Sequence, residues 1–201
     1  MRALIVSLAL LTAAPALAAP LDAPSGKYDV DLTHTSVTWR VKHLGLSMYT
    51  ARFAKVASTV QLDAAKPENS KLEVTIDANS VRTDFPFPEK EDFDKVIGGD
   101  ARFLDGGKFP QIKFVSTKIT PTGPKTGKIT GDLTLRGVTK PVTLDATWNG
   151  SLAPNAMMKT QKIGVSARGM IKRTDFGMTF GTQFLGDEVE LQIEAEYNKA
   201  G

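Results

Sequence analysis

Two histidines, His34 and His43, are the only imidazoles in this chain of 201 residues, and cysteine is absent. The chemistry open to it is therefore narrow. Nucleophilic catalysis needs a hydroxyl or thiol activated by a base that a third group holds in place. The stretches "THTS" and "HLGLS" set serines beside both histidines, but serine is common and no G-x-S-x-G elbow is present. A hydrolase using His43 is the enzyme alternative, and it has no further support. A zinc site fares no better. Positions 34 and 43 share neither a helical face nor an H-x-H strand pair, and the carboxylates needed to complete the site read as solvent-facing. "RTDFG", from Arg173 to Gly177, contains the D-F-G of protein kinases without a glycine-rich loop, strand lysine or H-R-D run. It reads as a turn in which Asp175 accepts local hydrogen bonds and Phe176 tucks inward. The expectation is no catalysis, no metal and no cofactor.

The charges are equally plain. Lys and Arg number 25 against 22 Asp and Glu, and no five-residue basic block appears, so nucleic acid is not an expected partner. The chain opens with Arg2, an apolar run "ALIVSLALLTAA" and small residues ending at Ala18, the order of a cleavable signal peptide. Residues 1–18 are read as that signal and residues 19–201 as one exported, periplasmic domain. Without cysteine such a domain depends on burial and backbone pairing for its stability.

His43 belongs to a pattern that recurs through the mature chain. In "VTWRVKH", Val37, Trp39, Val41 and His43 share one face, while Thr38, Arg40 and Lys42 take the other. "KLEVTID", "KITGDLTLR", "PVTLDATW", "KIGVSARGMI" and "EVELQIEAEY" alternate in the same way, with shorter runs near Tyr28, Val60 and Phe114. Period-two alternation describes antiparallel strands with one dry and one wet face. The stretches "AAKPENS", "TPTGPKTG", "RGVTKP" and "GSLAPNA" supply the turns between them.

Between Asp84 and Phe109 the alternation fails, and the spacing of Phe93, Val96 and Ile97 predicts a short helix within residues 89–105 that Gly98 and Gly99 would stop. It would serve as a lid or as a plug at one end of the sheet. About eight such strands either close into a barrel or stack as a sandwich, and periodicity fits both. The small inward residues Ser116, Gly131, Ala146, Ala167 and Gly169 favour an interior with room in it. A dry tunnel gains about 0.8 kcal/mol per methylene of a chain drawn from water. His43, with Arg173 or Lys172 nearby, would orient a head group at the mouth, or else be an interior imidazole bonded to a backbone carbonyl.

The stretches "YDVDLTHTSVTWRVKHLGLS", "IDANSVRTD", "KFPQIKFVSTKI", "TGDLTLRGVTKPVTL", "RTDFGM" and "GDEVELQIEAE" follow one another in an order that resembles the YceI-like family from Tyr28 to Tyr197. His34 and His43 match its two N-terminal histidines. Thr83, Phe103, Pro110, Phe114 and Ser116 match its middle motif, and Asp175, Phe176 and Gly177 its late turn. The resemblance implies a mainly all-β fold, an extended eight-stranded antiparallel lipocalin-like barrel. It also implies non-enzymatic binding of a polyisoprenoid or other long-chain amphiphile, such as an isoprenoid quinone, prenol or fatty acid derivative.

Alternation and family pattern together nominate thirteen ligand-binding residues. On the first half of the chain these are Val37, Trp39, Val41, His43, Phe53, Val74 and Ile76. On the second half they are Phe114, Leu133, Leu144, Trp148, Phe176 and Phe180. A homodimer is also implied. The chain departs from the family at Ala51 and Ser58, where glycines are expected, and "FDKVIGGDARF" stands where an R-D-x-H-L run is usual. That departure admits a different ligand and a membrane redox protein, such as a quinone-linked cytochrome, as partner. The alternative from another class is a packed barrel whose outer face docks that partner.

Overall fold

The computed structural model describes residues 19–201; the expected signal peptide, residues 1–18, lies outside them. Eleven strand segments form one antiparallel sheet: β1 (Gly26–Val30), β2 (Ser36–His43), β3 (Ser47–Phe53), β4 (Val56–Leu62), β5 (Lys71–Asp77), β6 (Val81–Arg82), β7 (Gln111–Pro121), β8 (Thr126–Leu135), β9 (Val138–Leu152), β10 (Lys162–Lys172) and β11 (Leu185–Lys199). β1 pairs with β4 on one side and β11 on the other, which closes the sheet on itself.

The first six segments are interrupted halves of three long strands. β1 and β2 both pair with β11, broken by a 3-10 turn at Leu32–His34. β3 and β4 lie beside them, and β5 and β6 beside those. Counting the halves together leaves eight positions around an eight-stranded closed antiparallel barrel. The sandwich is thereby excluded.

All of the strands expected from alternation are present. β3 was not among them, although Tyr49, Ala51 and Phe53 alternate with Thr50 and Arg52. Its short apolar signal runs straight into β4 through Ala54 and Lys55 and is hard to separate from it.

The helix, α1 (Phe93–Gly99), begins where the Asp92 carboxylate accepts the Lys95 N–H at 3.0 Å. Gly98 and Gly99 form its last turn, and the Asp100 N–H closes it on the Val96 carbonyl at 3.0 Å. Beyond it, Arg136 takes up the exposed carbonyls of the following turn, donating to Ala101 O at 2.9 Å and to Phe103 O. Arg136 sits in the two-residue turn between β8 and β9, where it and Gly137 both hold positive φ (51° and 75°) as such hairpins require. The helical excursion is thus tied to the end of the barrel by a turn residue.

The opposite end is closed by residues 19–25. Leu21 N–H donates to Ala64 O at 2.7 Å, and the Trp148 indole N–H donates to Asp22 Oδ1 at 2.6 Å. A separate core of Tyr28, Leu62, Ile163, Ala195 and Tyr197 gathers around Trp148 there.

Where β1 gives way to β2, Lys162 Nζ donates to Asp31 Oδ2 and reaches Glu196 Oε2 at 3.4 Å. The two side chains of the closer pair are only 13% and 12% exposed. The Lys162 hydrogen bond, supported by Thr33, holds the Asp31 carboxyl far below the usual carboxylate range. Asp31 therefore stabilises the fold fully above the ordinary aspartate pKa, about 3.9, and less and less as pH falls below it. Lys162→Met should lower unfolding stability by about 2 kcal/mol at pH 7, measured by urea denaturation. The difference from the natural protein should shrink as pH falls through 4.

Candidate functional site

The inner faces of the strands do not meet across the barrel axis. They surround a cavity of about 630 Å³, within the size range of small-molecule sites. Its walls are apolar side chains set by alternation. β2 contributes Val37, Trp39 and Val41, and β3 contributes Tyr49 and Phe53. Val74 and Ile76 face it from β5, Phe114 from β7, Leu133 from β8 and Leu144 from β9. Phe180 reaches it from the loop between the Arg173–Phe176 turn and β11. With His43, eleven of the nominated residues border this space.

Two do not. Trp148 lies in the second core and borders a smaller space of about 140 Å³ at the opposite end. It stands four residues beyond Leu144 on the same face of β9, farther along the barrel towards residues 19–25. Phe176 is 2% exposed and packs in the main core without reaching the cavity. Sequence reasoning also passed over the residues that α1 and its flanks deliver: Phe85, Phe93, Val96, Ile97, Phe103 and Leu104. Their spacing announces a helix but carries no information on what the helix covers. Leu191 and Ile193, which also line the wall, had the same alternation as the residues chosen.

The small inward residues do not create the space. A side-chain carbon on Gly131 would lie 2.5 Å from Phe114 Cζ, and one on Gly169 would lie 2.4 Å from Leu144 Cδ2. Phe114 and Leu144 already occupy those gaps. Ser116 serves the backbone, accepting the Leu72 N–H at 2.8 Å. Ala167 alone of the five borders the main cavity, and Ala146 borders the smaller one.

The helix end of the barrel is the mouth, rimmed by two chains of aromatic contacts. Phe103, Phe180 and Phe184 touch in sequence at centroid separations of 5.6 and 5.8 Å, and Arg102 lies 4.9 Å over Phe180. Trp39, Tyr49, Phe93 and Phe85 follow one another at 6.2, 6.1 and 5.2 Å. His43 stands at this rim, exposed, and so is not an interior imidazole. Beyond it, Leu44 and Leu46 of the β2–β3 tip are 57% and 86% exposed. Leu44 is held at φ 51°, a left-handed conformation a leucine rarely adopts, with its N–H donating to Phe184 O at 2.7 Å.

Arg173 and Lys172 do not act as head-group cations beside His43. Lys172 is exposed and away from the cavity. Arg173 is buried, and its guanidinium is committed to four backbone carbonyls: Gly186 at 2.8 Å, Met178 at 2.8 Å, Phe180 at 2.7 Å and Leu185 at 3.1 Å. Burial lowers its pKa from the ordinary arginine value, opposed by the charge of Asp187. Its work is to pin the loop that carries Met178, Phe180 and Phe184 into the cavity. Asp175 likewise serves a longer-range contact than a local turn, accepting Lys140 Nζ at 2.9 Å.

His34 and His43 have parted. His34 Nδ1 lies 3.1 Å from Asp31 Oδ2 and 3.8 Å from Glu196 Oε2, a trio whose spacing suits a cation. The spacing of the histidines hid this trio, because Glu196 arrives from the last strand. The Lys162 ammonium already bonds to both carboxylates, so the arrangement is an ion-pair network.

A closed antiparallel barrel around an apolar, aromatic-rimmed cavity defines the lipocalin-like class of β-barrels. Within it, the chain belongs to the YceI-like domain family, whose model matches residues 28–197. It is 37% identical over 194 residues to a UPF0312 protein of Pseudomonas putida (strain W619), covering 96% of this chain and 94% of that protein. A UPF0312 protein of Pseudomonas savastanoi pv. phaseolicola is 41% identical over 150 residues, 75% of this chain and 72% of the relative.

Among solved structures, the Campylobacter jejuni YCEI protein is 33% identical, with a TM-score of 0.69 over 80% of this chain and 90% of that one. BcnA of Burkholderia cenocepacia is 27% identical, with a TM-score of 0.70 over 84% and 99% of the two chains. A polyisoprenoid binding domain from Saccharophagus degradans, implicated in plant cell wall breakdown, shares the fold at 15% identity. Its TM-score is 0.63 over 86% of this chain and 98% of that domain.

Arg173→Met should leave four carbonyls without their charged donor. We expect a stability loss of about 3 kcal/mol and faster amide exchange in residues 178–186, measured by hydrogen–deuterium exchange with mass spectrometry.

Proposed function

We propose that this protein is an exported, non-enzymatic carrier of a polyisoprenoid or other long-chain amphiphile held in the barrel cavity. The observation that carries this reading is the cavity itself: about 630 Å³ of apolar-walled space inside a closed sheet, open at an aromatic rim. Apolar chains leave water for such a space at about 0.8 kcal/mol per methylene. The polyisoprenoid-binding description of the structural neighbour from Saccharophagus degradans supports the same ligand class. The cavity weighs against the packed-barrel alternative, which predicted a solid interior.

Export rests on the order of residues 1–18, and the non-enzymatic reading on the lack of an assembled catalytic group. Neither histidine stands in a nucleophile–base–orienter arrangement among the described residues: His34 bonds to Asp31 and Thr33, and His43 is a rim residue. Among those residues no helix is long and apolar enough to cross a membrane. A membrane redox protein or a second copy of the chain would find its apolar contact at the exposed Leu44 and Leu46.

Native mass spectrometry of the protein purified from its own host should show a bound long-chain amphiphile, identified after solvent extraction. Protein that emerges empty and has no affinity for quinones, prenols or fatty acids would refute the carrier reading. Ala167→Phe, which fills the middle of the cavity from β10, should weaken binding at least tenfold while leaving the far-ultraviolet circular dichroism unchanged.

A further inference from the structure

The turn from β2 to β3 is strained, and nothing in the fold accounts for it. It runs through Leu44, Gly45 and Leu46, and the Leu46 N–H closes it on the His43 carbonyl at 2.9 Å. Its two central residues, Leu44 and Gly45, hold positive φ of 51° and 72°. Such turns are ordinarily made by Asn-Gly or Asp-Gly, because few other side chains tolerate the first position. Among the described residues three more without glycine's freedom share this conformation. Two are aspartates, Asp84 and Asp105, and the third is Arg136, which uses its place to hold the carbonyls after α1. Leu44 has no such task, since its side chain stands in solvent with that of Leu46. Strain retained at an exposed apolar residue points to a role outside the fold.

The two leucines are not isolated. Phe87, Val138 and Phe180 are also exposed at this end of the barrel. The Leu44 N–H bond to Phe184 O sets the tip against the aromatic chain Phe184, Phe180 and Phe103, so its apolar surface runs on into the cavity mouth. Cations lie over the exposed rings: Lys90 Nζ is 4.7 Å from the centre of Phe87, and the Arg102 guanidinium is 4.9 Å from that of Phe180. Lys42 and His43 flank the tip, exposed, and Asp84, Glu89 and Glu91 stand exposed in the segment before α1.

We propose that this end of the barrel docks on a phospholipid bilayer of zwitterionic head groups, with Leu44 and Leu46 inserted below the phosphates. Aromatic rings paired with long basic side chains suit that boundary, the ring among acyl chains and the charge in the head groups. Charges of both signs at the rim match a surface of both signs and set up no field that would call for an anionic one. A stable protein contact takes about 800 Å² from each partner, far more than a three-residue tip presents. A bilayer, in contrast, admits a narrow apolar projection. The proposal goes beyond the carrier reading and stands on the tip itself, so it is tested without a cargo.

The test is flotation of the full mature chain with vesicles of phosphatidylcholine and phosphatidylethanolamine. The natural protein should float with them, and a tenfold rise in ionic strength should change the bound fraction less than twofold. Leu46→Ser and Leu44→Asn should each weaken partitioning about fivefold, and the double variant at least tenfold. Met157→Ser, which removes a comparably exposed apolar side chain at the opposite end, should change it less than twofold. Leu44→Asn should melt no lower than the natural protein, because asparagine relieves the strained φ while the docking contact is lost. A natural protein that stays unbound, a double variant that floats as well as it does, or binding that requires anionic lipid would each overturn the docking surface. So would self-association, measured by analytical ultracentrifugation, that the double variant abolishes without any vesicle binding, since the tip would then belong to a second copy. All of these leave the carrier reading standing, which native mass spectrometry tests separately.

Discussion

Closure of the sheet is the constraint from which the remaining features follow. β1 satisfies its backbone groups on β4 at one edge and β11 at the other, so the sheet closes on itself there. A sheet closed over eight positions has an interior just wide enough for side chains to fill or for one ligand to occupy. Phe114 and Leu144 lean into the gaps left by Gly131 and Gly169, so the wall is tightly packed against itself. The space that remains lies along the axis, where opposite walls do not touch.

The two ends are finished differently. Residues 19–25 seal one with direct hydrogen bonds to the barrel, including the Asp22 bond that fixes Trp148. The other is covered by α1 and by the loop before β11, and each is held largely through its carbonyls. Arg136 grips the turn after α1, and Arg173 grips residues 178–186. A guanidinium presents five donors in a fixed fork, so one arginine can organise several loop carbonyls that no strand reaches. Both arginines are therefore architectural, and the mouth they shape is aromatic and largely uncharged.

Much of the barrel could be read directly from the chain. Alternation in "VTWRVKH", "KLEVTID" and "KITGDLTLR" assigns each side chain to a face without reference to any other strand, because the pleat has a period of two. This is why eleven of the nominated lining residues border the cavity. Trp148 alternates as faithfully as they do, yet it faces a different core, because position along the barrel axis depends on how the strands are staggered against one another. Gly131 and Gly169 looked like sources of room for a related reason. A glycine's environment is set by the side chain opposite, which belongs to another strand.

What the sequence determined by itself was local: which residues pair their backbones, which face each takes, and where a helix interrupts the strands. Tertiary structure alone decided what meets what. It brought Glu196 and Lys162 to Asp31 and His34, committed Arg173 to carbonyls five to thirteen residues away, and set Trp39 beside Tyr49 on the cavity wall. The physical reason is that dihedral preference and face alternation act over a few residues. Hydrogen-bond satisfaction and cavity shape, in contrast, are settled only when strands distant in the chain close around a common axis.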